Sequence, residues 1–139
     1  MRVLVTGANG KVGSATVKAL MARGHEVRAT DLHRGVFERP EEGAPEYLQA
    51  DLTDAGDAYA VSRDMEVIVH PAAIPEPTHT PPHVVFHNNF MSTFNMIEAA
   101  IRWGARRFVN ISTTGAEAPR PSRDRSSLRT WPWSINSGR

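Results

Sequence analysis

The chain has 139 residues, 40% of them hydrophobic and 22% charged, which suits one domain with a packed core and excludes a wholly disordered chain. The absence of cysteine excludes a disulfide scaffold, a thiolate metal site and a cysteine nucleophile. The formal net charge of +1 splits into −2 for residues 1–115 (11 Lys+Arg against 13 Asp+Glu) and +3 for residues 116–139 (5 against 2), so the body carries no basic footprint for nucleic acid.

At the N-terminus, MRVLVTG reaches Gly7 too soon to hold a signal peptide's apolar region. No run of about 18 apolar residues suggests a membrane span. A soluble cytoplasmic α/β domain is therefore expected. Val3–Val5 is a short apolar run closed by Thr6-Gly7, the pattern of a buried strand. GANGKVG follows, then a helical pattern over Val12–Arg23 with apolar residues at Val12, Ala15, Ala19 and Leu20. Gly24 stands where a helix stops. His25–Thr30 reads as a second strand ending at Asp31. Residues 33–46, with two Pro, two Gly and six charges, read as a loop.

Tyr47–Ala50 is a short third strand. Thr53 or Asp54 can cap a short helix reaching Val61. Met65–Val69 is a fourth apolar run, opening into His70-Pro71-Ala72-Ala73. Five of the ten prolines fall between 71 and 82, a stiff extended loop. Pro81 and Pro82 suit the first turn of the next helix. Phe86, Phe90, Phe94, Ile97 and Ile101 form its apolar stripe, Gly104 ends it, and Arg107–Ile111 is a fifth strand. Strands alternating with helices imply right-handed βαβ units and a parallel sheet. Residues 116–139, with five Arg, five Ser and three Pro, show no period and read as a disordered tail.

Gly7, Gly10 and Gly13 carry the main chemical signal. They sit between a strand and an amphipathic helix, and the second strand ends in an acid. Gly7 permits the tight turn, Gly10 lets backbone approach a pyrophosphate, and Gly13 lets the helix pack closely on the sheet. The helix start then presents unpaired N–H groups to phosphate. A P-loop is excluded, because Gly13 is followed by Ser14 and the nearest lysine, Lys11, precedes it. Asp31 can accept both ribose hydroxyls of an adenosine and repel a 2′-phosphate, which favours NAD over NADP, while Arg34 nearby weakens that preference.

With these residues placed, the chain resembles the extended short-chain dehydrogenase/reductase superfamily, in its NAD-dependent epimerase/dehydratase group, over residues 1 to about 115. Thr6-Gly7-x-x-Gly10-x-x-Gly13 is similar to the family's glycine loop, in which Asn9, Lys11 and Val12 join the glycines at the cofactor. Leu32 and Arg34 follow the acid of the second strand. Asp51-Leu52 is similar to the Asp-aliphatic pair beside the adenine. His70-Pro71-Ala72-Ala73 resembles the HxAA segment that lines the cofactor. Asn89 in NFMSTFNMIEAA resembles the Asn of an NxxGTxNxxEAA helix, with Ser92 where the family often has Gly. Ile111-Ser112-Thr113 resembles the end of the fifth strand, with Thr113 as the hydroxyl that polarises substrate and Ser112 on the cofactor side.

The resemblance implies a Rossmann-type doubly wound parallel sheet of about five strands in the order 3-2-1-4-5, cut short after the fifth. It implies NAD as cofactor, a nucleotide-sugar or similar sugar as substrate, and a homodimer. One of the two helices that usually form that dimer is not encoded. The family's Tyr-x-x-x-Lys pair is missing too. The only tyrosines are Tyr47 and Tyr59 and the only lysines Lys11 and Lys18. In the family that Tyr serves as acid/base, and its Lys holds the ribose and lowers the Tyr pKa.

Three readings follow. The chain is the NAD-binding part of a sugar-directed oxidoreductase, a non-catalytic NAD-binding module, or a frameshifted or truncated product. A metal site is not expected, since His79, His83 and His87 find no third ligand beyond Glu76. No G-x-S-x-G marks a serine nucleophile.

Overall fold

The computed structural model describes residues 1–35, 43–75 and 80–112. Along the chain run β1 (Arg2–Val5), α1 (Lys11–Ala22), β2 (Glu26–Asp31), β3 (Glu46–Gln49), α2 (Ala55–Ser62), β4 (Val67–His70), α3 (Pro82–Trp103) and β5 (Arg107–Asn110). The strands form one parallel sheet in the order β3-β2-β1-β4-β5. This is the order expected from the sequence.

Side-chain alternation along β1 divides the core between the two faces of the sheet. Val3 and Val5 join Val17 of α1 and Val27 and Ala29 of β2 on one face. Leu4 joins Ile68 of β4, Ala58 and Val61 of α2, and Met96 and Ala100 of α3 on the other. A central parallel strand is buried on both faces, which is why its sequence is a continuous apolar run rather than an alternating one.

The helix ends follow local chemistry. Asp54 caps α2 by accepting from the Asp57 N–H at 3.0 Å, and an N-cap carboxylate of this kind contributes roughly 1 kcal/mol. Gly24 and Gly104 take the left-handed conformation just past α1 and α3, at φ of 75° and 69°. After α3, the Ala105 N–H reaches back to the Ala100 carbonyl at 2.9 Å. The left-handed residue lets the chain reverse onto those last carbonyls without a steric penalty. The tail, residues 116–139, lies outside the described residues.

Candidate functional site

β1 leaves the sheet through Thr6. The Thr6 N–H still pairs with the Val69 carbonyl at 3.1 Å, and two residues on the Ala8 N–H pairs with the Thr30 carbonyl at 3.1 Å. Between them the chain turns at Gly7, whose φ is +54°. A Cβ at Gly7 would stand 2.8 Å from the Ala72 Cα, so both conformation and space require glycine. At Gly13 a Cβ would overlap the Gly7 carbonyl, so α1 rests directly on the turn. Gly10 caps α1 with no side-chain hydrogen bond. The N–H groups of Lys11, Val12 and Gly13 in the first turn therefore have no intrahelical acceptor.

Around this turn, at the carboxyl ends of the strands, is a cleft of about 550 Å³. It is lined among others by Gly7, Asn9, Gly10, Asp31, Leu32, Asp51, Leu52, Ala72 and Ala73. The crevice outside the strand ends, where the chain order reverses about β1, is where open α/β sheets bind ligands. Asp31 is held in place by backbone: its Oδ2 accepts from the Asn9 N–H at 2.9 Å and its Oδ1 from the Leu32 N–H at 2.8 Å. A carboxylate has about four lone-pair sites, so two remain for ribose hydroxyls. Asp51 turns its Oδ1 back to the Thr53 N–H and hydroxyl, at 2.9 and 2.7 Å.

Several of the other residues expected at the cofactor stand behind the wall. His70, expected along the cofactor, is buried behind the Ala72 wall. It is 1% exposed because Ile68 and His70 share the inward face of β4, whose burial alternates. Its Nδ1 lies 2.8 Å from the Thr6 Oγ1 and its Nε2 3.3 Å from the Thr93 Oγ1. The ring also lies against Phe108, with centroids 5.9 Å apart. Burial pushes the imidazole pKa down to about 4, so the ring is neutral at pH 7. Its partner Thr6 accepts from the Ala72 N–H at 3.2 Å. His70 thus supports the Ala72 wall without touching the cleft.

Asn89, also expected along the cofactor, is bonded to backbone. Its side chain accepts from the Ile74 N–H at 2.8 Å and donates to the Ile74 carbonyl at 3.2 Å. It ties down the segment after Ala73 instead of facing the cleft. Lys11 and Val12 open α1 with their backbone N–H groups at the glycine turn, Gly13 is buried beneath it, and Arg34 is exposed. Ile111 and Ser112 are exposed beyond β5, outside the cleft lining. The Ile111 N–H pairs with the His70 carbonyl at 3.2 Å. Thr113, His79 and Glu76 lie outside the described residues.

The cleft also takes in His33, Ala50, Pro71, Ile74, Asn88 and Ser92. Buried Asn95, on α3, donates to the Leu52 and Thr53 carbonyls at 3.0 and 2.9 Å and holds the floor. The cue in the sequence was its place at the second Asn of the NxxGTxNxxEAA pattern. Among the described residues no group of three His, Asp or Glu side chains converges as a metal site would. No helix among them is long and apolar enough to cross a membrane.

A glycine turn between strand and helix, an open helix start and an acid at the end of β2 define a Rossmann-type dinucleotide-binding domain. The chain belongs to the NAD dependent epimerase/dehydratase family, whose model matches residues 3–137. A curated relative, 3 beta-hydroxysteroid dehydrogenase/Delta 5→4-isomerase of Mycobacterium tuberculosis, is 38% identical over 118 residues, covering 81% of this chain and 31% of its own length. Uronate dehydrogenase from Agrobacterium tumefaciens, solved with NAD, superimposes with a TM-score of 0.70 at 30% identity, over 81% of this chain and 40% of that one. MoeE5, solved with UDP-glucose and NAD, gives a TM-score of 0.73 at 27% identity, over 87% and 39%. The chain spans about a third of the length of the curated relatives it matches.

Proposed function

We propose that this chain is the NAD-binding part of a cytoplasmic oxidoreductase of the epimerase/dehydratase type, acting on a sugar-like substrate. The observation that carries the reading is the cleft itself. A glycine-only turn brings backbone against the open N-terminus of α1, and Asp31 stands at the end of the neighbouring strand. The first-turn N–H groups would hold the pyrophosphate. Asp31 would take the adenosine ribose hydroxyls and repel a 2′-phosphate, favouring NAD. Asp51 and Leu52 would flank the adenine, and Ala72 and Ala73 would wall the nicotinamide half. Bound NAD supplies the hydride acceptor. Ser112 and Thr113 follow β5, where a hydroxyl would meet the reacting oxygen.

The sugar-like substrate is supported by the solved relatives that carry UDP-glucose or act on uronate. The steroid dehydrogenase relative supports a sterol hydroxyl as a second substrate class. A second reading is an NAD-binding module without catalysis of its own. Calorimetric titration of the chain with NAD is the test. Saturable binding, abolished by Gly13→Val and weakened by Asp31→Ala, is expected. No heat at millimolar NAD would overturn both readings. Hydride transfer to NAD by the chain alone would rule out the module.

A further inference from the structure

Beside Asp31 a clasp ties the glycine turn and β3 to residues 33–35. The Asn9 side chain donates through Nδ2 to the His33 carbonyl at 2.7 Å and to the Tyr47 hydroxyl at 3.2 Å. The Tyr47 hydroxyl itself donates to the same His33 carbonyl. One carbonyl therefore takes two donors, one from the glycine loop and one from β3. Gly35 then lies so close to the Asn9 amide that a Cβ there would overlap it. The Asn9 Oδ1 is buried with no hydrogen-bond partner. The turn of residues 33–35 is thus pinned by its backbone, and Arg34 sits in the middle of it.

We propose that Asn9 and Tyr47 are specificity-determining residues that make this cleft select NAD against NADP, by fixing the 33–35 turn. The inference rests on the reading of the cleft as an NAD site and deepens it. NAD asks only for acceptors for its ribose hydroxyls, and Asp31, anchored by the Asn9 N–H, supplies them. A 2′-phosphate asks for more room and for a cation, the role an Arg near this acid can fill. Admitting the phosphate and bringing Arg34 to it requires the turn to move outward. That movement breaks the Asn9 and Tyr47 bonds to His33, whereas NAD leaves them intact. The clasp is therefore a cost borne by one cofactor alone, which is how discrimination arises. A clasp that only stabilised the fold would affect both cofactors equally.

The test uses the whole chain and calorimetric titration with NAD and with NADP. The wild type is expected to bind NAD more tightly. Tyr47→Phe keeps the ring and removes the hydroxyl; Asn9→Ala keeps the backbone donor to Asp31. Each is expected to lower the ratio Kd(NADP)/Kd(NAD) by about five-fold, the effect of one hydrogen bond. Gly35→Ala, which forces the turn away from Asn9, is expected to act in the same direction. Melting curves establish folding, and if Asn9→Ala does not fold, Tyr47→Phe decides alone. Equal weakening of both cofactors, an unchanged ratio, or a wild type that binds NADP as tightly as NAD would overturn the proposal. A wild type that binds neither cofactor would overturn the NAD reading and this inference with it.

Discussion

The two sides of the sheet solve different problems. On the α1 side small residues and backbone do the work: Gly13 against Gly7, with Ala8, Val17 and Ala29 closing the space. On the other side the inner face of α3 is as well packed, with Met96 and Ala100 in the core, but its outer face is a stripe of large apolar side chains. Phe86 is 68% exposed and Ile101 72%, and Phe86 and Phe90 stack on each other at 5.4 Å. On the first side helix rests on turn, and an added Cβ at Gly13 would overlap backbone. The second presents apolar surface of the kind that marks an interaction face. A substitution should therefore act through sterics on one side and through association on the other.

The largest effect is expected at Gly13. Gly13→Val places side-chain atoms in the Gly7 carbonyl and should destabilise the domain by at least about 3 kcal/mol, at the upper end of overpacking costs. Urea denaturation checks it, and a loss under 1 kcal/mol would mean that α1 can slide off the turn. Next comes the buried imidazole between the two halves. The His70 pKa is depressed from 6.5 to about 4, so its contribution is complete above pH 6.5. As pH falls from there to about 4 the unfolded chain takes the proton first. Stability on the order of 3 kcal/mol is lost over that window, and none further below it. Denaturation at pH 7 and pH 4.5 should show this slope in the wild type and not in His70→Leu; identical slopes would contradict it.

Asn95→Ala strands the Leu52 and Thr53 carbonyls and should cost about 2 kcal/mol, together with a weaker NAD affinity. The smallest effect on stability belongs to α3. Phe86→Ser with Phe90→Ser should change the unfolding free energy by no more than about 0.5 kcal/mol while reducing self-association by light scattering. A wild type that stays monomeric at high concentration would remove the contrast between the two sides.

Much of this was legible in one dimension. The strand-helix alternation, the glycine turn and the acid at the end of β2 follow from local patterns, because each needs a residue type at a fixed place on the chain, whereas the strand order came with the family resemblance. Helix ends came within a residue or two, as Gly24 and Gly104 show, since left-handed stops carry their own signature. The side chains of His70 and Asn89 make contacts that the motif alone does not show. Their neighbours in the motif do line the cleft, but the parity of β4 turns His70 inward, and Asn89 is claimed by the Ile74 backbone. Asn9, Tyr47 and Asn95 act through partners 24, 14 and 43 residues away, and no local pattern reports contacts of that reach.

The bond between Thr6 and His70 joins residues 64 apart in the chain, and the one from Ala72 to Thr6 spans 66. β1, α1 and β2 form a unit from the first 31 residues, with their own apolar contacts. The wall of the cleft waits for β4 to find β1 across a long closing loop, a step whose entropic cost slows folding. During synthesis from the N-terminus, the residues of the glycine turn are therefore made well before the wall on which Gly7 packs. The affinity for a dinucleotide would arise late and all at once, when Ala72 docks on Gly7.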